Sequence, residues 1–307
     1  PFVFRGTANA GTQVKVAFNG LQQTSIAAAD GHWKVTVPAM EAGGPYEAQI
    51  KTKGERRDLH LIYIGEVWLC SGQSNMEFPV RATTTSSEDL AHADQQPLLH
   101  LYNMPTRFPT NAEKWPKAVL DSINRLALLD TKGWQVANKA TVASFSAVAY
   151  HFGKALADSL KVPVGIICNA VGGTTTESWT DRHTLEWQFP SILYDWYHSD
   201  FGQPWARKRA LENIALAEKT ANQRHPYEPC YMFEAGMLPL KGYAIKGVVW
   251  YQGESNAHNI ELHAHLFRLL EKSWRRFFHQ PKMPFLVVQL SSLNRPSWPQ
   301  FRHSQYI

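Results

Sequence analysis

Seven consecutive residues, Val162-Pro163-Val164-Gly165-Ile166-Ile167-Cys168, carry no charge and no strongly polar side chain. A strand with water on one face alternates apolar and polar residues, because successive side chains point to opposite sides. A strand that is apolar throughout has to be covered on both faces, as in a sheet lying between helices. Ile245 to Tyr251 and Phe285 to Leu290 are further, mainly apolar runs. Between them Leu262, Leu266, Leu269 and Leu270 mark an amphipathic helix over roughly His258 to His279. Before the first run, Phe145, Val148, Ala149, Phe152, Leu156 and Leu160 fall on one helical face. This strand-helix-strand order predicts an α/β region from about residue 63, with a mostly parallel sheet and helices on both faces.

The first 62 residues have a different rhythm. Val14 to Phe18 reads as a short strand ending in the turn Asn19-Gly20, and His32 to Val37 alternates with period two. Gly43-Gly44-Pro45 leads into Tyr46 to Ile50. Short strands divided by Gly-rich turns predict a small β-sandwich. Residues about 182 to 235 form an aromatic and charged excursion, with one helix expected near Trp205 to Asn222.

Bulk properties exclude several classes. The formal charge of +5 is small for 307 residues, and the densest basic runs, Arg207-Lys208-Arg209 and Arg275-Arg276, read as solvated helix faces, so no nucleic-acid partner is expected. No apolar run is long enough for a membrane span. Three cysteines are too few for a disulfide framework; Cys70 and Cys168 read as buried small hydrophobes. Eleven tryptophans, eleven tyrosines and fifteen phenylalanines mostly serve a core, yet such a supply also suits a sugar ligand. Pro1 is not a natural start, so an upstream segment is expected to have been removed.

Three strand ends carry unusual polar sequences: Ser71-Gly72-Gln73-Ser74-Asn75-Met76 after the apolar run Ile62 to Leu69, Asn169 to Thr174 after Cys168, and Tyr251-Gln252-Gly253-Glu254-Ser255-Asn256 after Trp250. In open α/β sheets, ligands bind beyond the carboxyl ends of the strands. Acyl transfer needs a serine presented by a tight turn and N–H donors for the oxyanion.

On these motifs, together with Gly172-Gly173-Thr174, Glu177-Ser178-Trp179, Gly236 to Leu240 and Pro284 to Leu290, the chain resembles the sialate O-acetylesterase family. That family is a branch of the SGNH hydrolases that also contains acetylesterases acting on xylan. The resemblance implies a flavodoxin-like, three-layer parallel sheet over 63–307, preceded by the β-sandwich region 1–62. It implies Ser74 as the nucleophile, with Ser71 the lesser alternative. The N–H groups of Ser74 and Gly173 and the Gln252 amide would form the oxyanion hole, with Asn256 the alternative amide. Glu254 would hold its loop. No cofactor and no metal are expected. The substrate would be an O-acetylated carbohydrate, most readily sialic acid, alternatively xylan, in an extracytoplasmic setting. A non-catalytic sugar-binding protein on the same fold is the reading from another class. Oligomeric state is not legible.

The family's base is an Asp-x-x-His pair near the carboxyl end, and none follows Gln300-Phe301-Arg302-His303. The pair is expected beyond Ile307. In-chain matches are Asp89/His92 and Asp195/His198, while His303 lacks an aspartate three residues earlier. His258, His263 and His265 read as solvent-facing helix residues rather than metal ligands.

Overall fold

The structure is a computed structural model that describes residues 2–295 and 297–305. Two compact units divide the chain: 1–66 with 157–164, and 67–156 with 165–307.

The first unit is all-β apart from its second segment. A two-stranded antiparallel sheet pairs β1 (Phe2–Thr7) with β4 (His32–Val37). A four-stranded sheet has the order β3-β2-β5-β6, from β2 (Gln13–Phe18), β3 (Leu21–Ile26), β5 (Gly43–Lys51) and β6 (Arg56–Ile64). The period-two pattern predicts which side chains meet. Val14, Val16 and Phe18 of β2 pack with Trp33, Val35 and Val37 of β4, while the residues between face outward or lie half-buried. Phe2 packs edge-on against Phe18 at 5.2 Å.

The second unit carries a six-stranded sheet of order β12-β11-β7-β10-β8-β9. Its strands are β7 (Glu66–Gly72), β8 (Leu99–Asn103), β9 (Trp134–Val136), β10 (Val164–Ala170), β11 (Gly247–Tyr251) and β12 (Phe285–Val287). β11 runs parallel to β7 and to β12. β9 pairs antiparallel with β8 at the edge, a strand the sequence reading did not pick out. Every residue of β10 is buried, as an unbroken apolar run requires.

Some boundaries differ from those read off the sequence. Ile62 to Leu69 is two strands, not one: β6 stops at Ile64, and β7 begins at Glu66, whose N–H donates to the Pro163 carbonyl at 3.1 Å. The helix expected over 205–222 covers Pro204–Asn213. It stops where Asn213 turns inward and its amide donates to the Asn111 and Glu113 carbonyls, at 2.5 and 2.7 Å. The long amphipathic helix is Ile260–Phe277, started by the Asn259 side chain accepting from the Leu262 N–H, with Arg275 and Arg276 in its last turn. His263 is a correction: it lies on the buried face, not toward solvent. Its ring sits 4.8 Å from Phe301, and burial pushes its pKa down to about 4. Among the described residues no helix is long and apolar enough to cross a membrane.

Candidate active site

The three polar motifs meet at one end of the sheet. Register sets Trp250 opposite Ser71 and Tyr251 opposite Gly72, so parallel β7 and β11 end side by side. The Gln73 N–H donates to the Tyr251 carbonyl at 3.1 Å. On the other flank the Val171 N–H donates to the Gly72 carbonyl at 3.2 Å. Gly72 holds this junction because its φ is +144° and a side chain there would run into the Tyr251 carbonyl.

Side chains then stitch the loops together. Gln73 Oε1 accepts from the N–H groups of Gly253 and Ser255, at 3.3 and 3.2 Å. The Ser255 hydroxyl donates to the Gly173 carbonyl at 3.1 Å. Asn75 donates to Glu254 Oε1 at 2.6 Å. Through this bond Glu254 ties its loop to the serine loop. Burial raises its carboxyl above the ordinary value of 4.5.

Ser74 opens the one-turn helix Ser74–Glu77 and is exposed. The first N–H groups of a helix have no acceptor within it, so this turn leaves donors beside the hydroxyl. Ser74 lines a cleft of about 670 Å³, together with Glu77, Phe78, Arg81, Asp130 and Lys132 among others. Ser71, the lesser alternative, is fully buried and its hydroxyl has no hydrogen-bond partner, so it cannot reach a substrate.

The Gly172-Gly173 turn lies against this helix. A Cβ built on Gly172 would sit 3.6 Å from the Ser74 Cβ. The Gly172 N–H donates to Glu77 Oε2 at 2.8 Å. That bond lowers the Glu77 pKa less than burial raises it, and the carboxyl sits above its ordinary value. Gly173 has φ +81°, and a side chain there would collide with the Tyr227 hydroxyl. Glu77 thus fixes one N–H of the turn and leaves the next one without an assigned acceptor among the described residues. The sequence reading gave Glu77 no role; its spacing from Ser74, three residues and so one helical turn, is the signal that could have found it.

Gln252 is fully buried, one layer behind the turn. Its amide donates to Asn256 Oδ1 at 2.7 Å and, over a long 3.4 Å, to the Thr174 carbonyl. Its own oxygen accepts from the Thr176 hydroxyl at 2.8 Å. Asn256 accepts from the Thr176 N–H at 3.0 Å and donates to Glu177 Oε2 at 3.0 Å. The Glu177 carboxyl is buried, and burial raises its pKa. These four residues form a closed polar network that ties the loop after β10 to the loop after β11. Thr176 and Glu177 belong to it through contacts that sequence spacing does not show.

The in-chain Asp-x-x-His matches lie elsewhere. Asp195 and His198 do pair, at 2.7 Å, but both are exposed and neither lines the Ser74 cleft. His92 Nδ1 contacts the Glu88 carbonyl at 3.0 Å, while Asp89 faces His151 at 3.4 Å. His303 sits on the helix Trp298–Ser304 and is not part of the cleft lining. Cys70, Cys168 and Cys230 are buried free thiols, and burial raises Cys168 to about 12.

The family described as "Carbohydrate esterase, sialic acid-specific acetylesterase" matches residues 64–198 and 214–306. Sialate O-acetylesterase of Rattus norvegicus is 30% identical over 94% of this chain and 57% of its own length. The Homo sapiens protein of that name is 29% identical, over 92% of this chain and 52% of its own. The chain therefore spans a little over half the length of these curated relatives. The crystal structure of a carbohydrate acetylesterase from Xanthomonas citri superposes with a TM-score of 0.74 at 28% identity, covering 99% of this chain and 61% of that one.

Proposed function

We propose, for a chain that belongs to the sialic acid-specific acetylesterase family of carbohydrate esterases, a serine esterase activity that removes O-acetyl groups from a sugar, foremost an O-acetylated sialic acid. The observation that carries the reading is an exposed Ser74 beside the Gly172-Gly173 turn, at the joined ends of β7, β10 and β11.

The Ser74 oxygen attacks the acetyl carbonyl, and a base takes its proton. A histidine oriented by an aspartate is the base in this proposal, and it comes from outside the described cleft lining. The N–H groups of Ser74 and Gly173 receive the developing oxyanion. Gln252 joins them by exchanging its long bond to the Thr174 carbonyl for the oxyanion, while its short bond to Asn256 keeps the amide aligned. The sugar hydroxyl leaves with the proton returned by the imidazole. Water then repeats the attack on the acetyl-serine and releases acetate.

The test is to measure acetate release from O-acetylated sialic acid and from acetylated xylo-oligosaccharide, alongside labelling by an organophosphate. Release from the sialic acid with label on Ser74 supports the reading. A preference for the xylo-oligosaccharide moves the chain to the acetylxylan esterases. Intact folding with neither label nor acetate points to the sugar-binding alternative.

A further inference from the structure

The cleft at Ser74 is lined by charged groups of both signs. Four of its lining residues are ionisable in the ordinary range: Glu77, Arg81, Asp130 and Lys132. The two acids are engaged. Glu77 is half-buried and accepts the Gly172 N–H. Asp130 faces Arg107 at 3.2 Å. The two cations are exposed, and neither has an acidic partner among the described residues. A sugar entering this cleft therefore meets two cations without an acidic partner, beside two acids that each already accept a hydrogen bond. Phe78, exposed on the same lining three residues before Arg81, offers an apolar face to a sugar ring.

We propose that Arg81 and Lys132 form a carboxylate subsite that makes the cleft selective for an acidic O-acetylated sugar over a neutral one. The proposal rests on the esterase reading above and adds to it the residues that read the sugar's charge. Arg81 supplies a planar fork that matches a carboxylate in two hydrogen bonds; Lys132 adds a point charge. Ser74 and the Gly172-Gly173 turn handle the ester and are indifferent to that charge. Selectivity should therefore be separable from catalysis.

The experiment compares an O-acetylated sialic acid with its 1-carboxamide, which keeps the ester and loses the charge. The unaltered protein is expected to favour the charged substrate in kcat/KM by at least about tenfold, the scale of a charge-assisted pair. That preference should shrink as salt is added, because exposed charges are screened. In Arg81→Met with Lys132→Met the ratio should fall to near one. An unchanged ratio in the double variant, or equal losses on both substrates, overturns the subsite. A second readout does not need turnover: titration of the methyl glycoside of N-acetylneuraminic acid, followed by NMR, should weaken about tenfold in the double variant. If neither ester releases acetate, the esterase reading fails, and the titration alone decides the subsite. Binding that is absent, or equal in both proteins, overturns it. Both side chains are exposed, so the variants should keep the folded state, checked by thermal unfolding.

Discussion

The two sides of the Gly172-Gly173 turn are built oppositely. Toward the cleft stands Ser74, exposed, on a helix of a single turn. Behind it Gln252, Asn256, Thr176 and Glu177 are buried and bonded to one another at 2.7–3.2 Å. The hydroxyl proposed to react stands on a single helical turn, while the backbone proposed to receive negative charge is tied down. A hydroxyl has to turn toward a base and then toward a substrate. N–H donors act best when they are already in place, because no energy is then spent on ordering them during the reaction. The contrast says where substitutions should damage chemistry and where they should damage the fold.

The largest effect expected is on the cleft side. Ser74→Ala should lower acetate release by about 10⁴-fold or more, in line with removal of a nucleophile, while melting temperature stays where it was. A variant that loses both rate and stability would break the contrast. Behind the turn the order reverses. Asn256→Ala takes one hydrogen-bond partner each from the Glu177 carboxyl, the Gln252 amide and the Thr176 N–H. It should cost about 3 kcal/mol of stability, the scale of buried polar groups left unsatisfied, as read by denaturant unfolding. Rate should fall with it, since the turn is no longer held.

Glu177→Gln sharpens the same point through pH. Burial holds the Glu177 carboxyl above its ordinary value of 4.5, so the folded protein keeps a proton that the unfolded chain releases. The stability contributed by that proton is fully present below the unfolded value and is lost as pH rises through the raised one. Glutamine keeps an acceptor for Asn256 and cannot ionise. Its stability should therefore fall less steeply above pH 4.5, measured by chemical unfolding across a pH series. An identical slope would mean that Glu177 is not the source. The smallest effect belongs to neither side. His198→Ala removes an exposed pair outside the cleft and should leave the acetate rate within about twofold, as for most surface substitutions; a collapse of the rate would make Asp195 and His198 part of the chemistry.

Particular elements explain what could be read early. β2 and β4 alternate strictly, and β10 is apolar throughout, so face and burial follow from the backbone repeat alone. The Ser74 motif was visible because a nucleophile needs a strand, a glycine turn and an exposed hydroxyl, all within a few residues. The engagement of Gln252 was not visible: a glutamine after a strand reads the same whether its amide is free or bonded to Asn256, four residues on. His263 reads as a solvent-facing helix residue, and only Phe301, far along the chain, shows why it is buried.

Local spacing alone determined that this chain has a sandwich-like β start, a strand buried on both faces, and a serine at the end of another. Those are properties of a few residues and the geometry of the peptide. Tertiary structure alone decided that the Gly172-Gly173 turn lies against the Ser74 helix, that Glu77 holds the turn, and that Arg81 and Lys132 line the cleft without an acidic partner among the described residues. Hydrogen bonds and ion pairs act over a few ångströms of space, whatever the separation in sequence, and which partners meet is set only when the sheet brings its strand ends together.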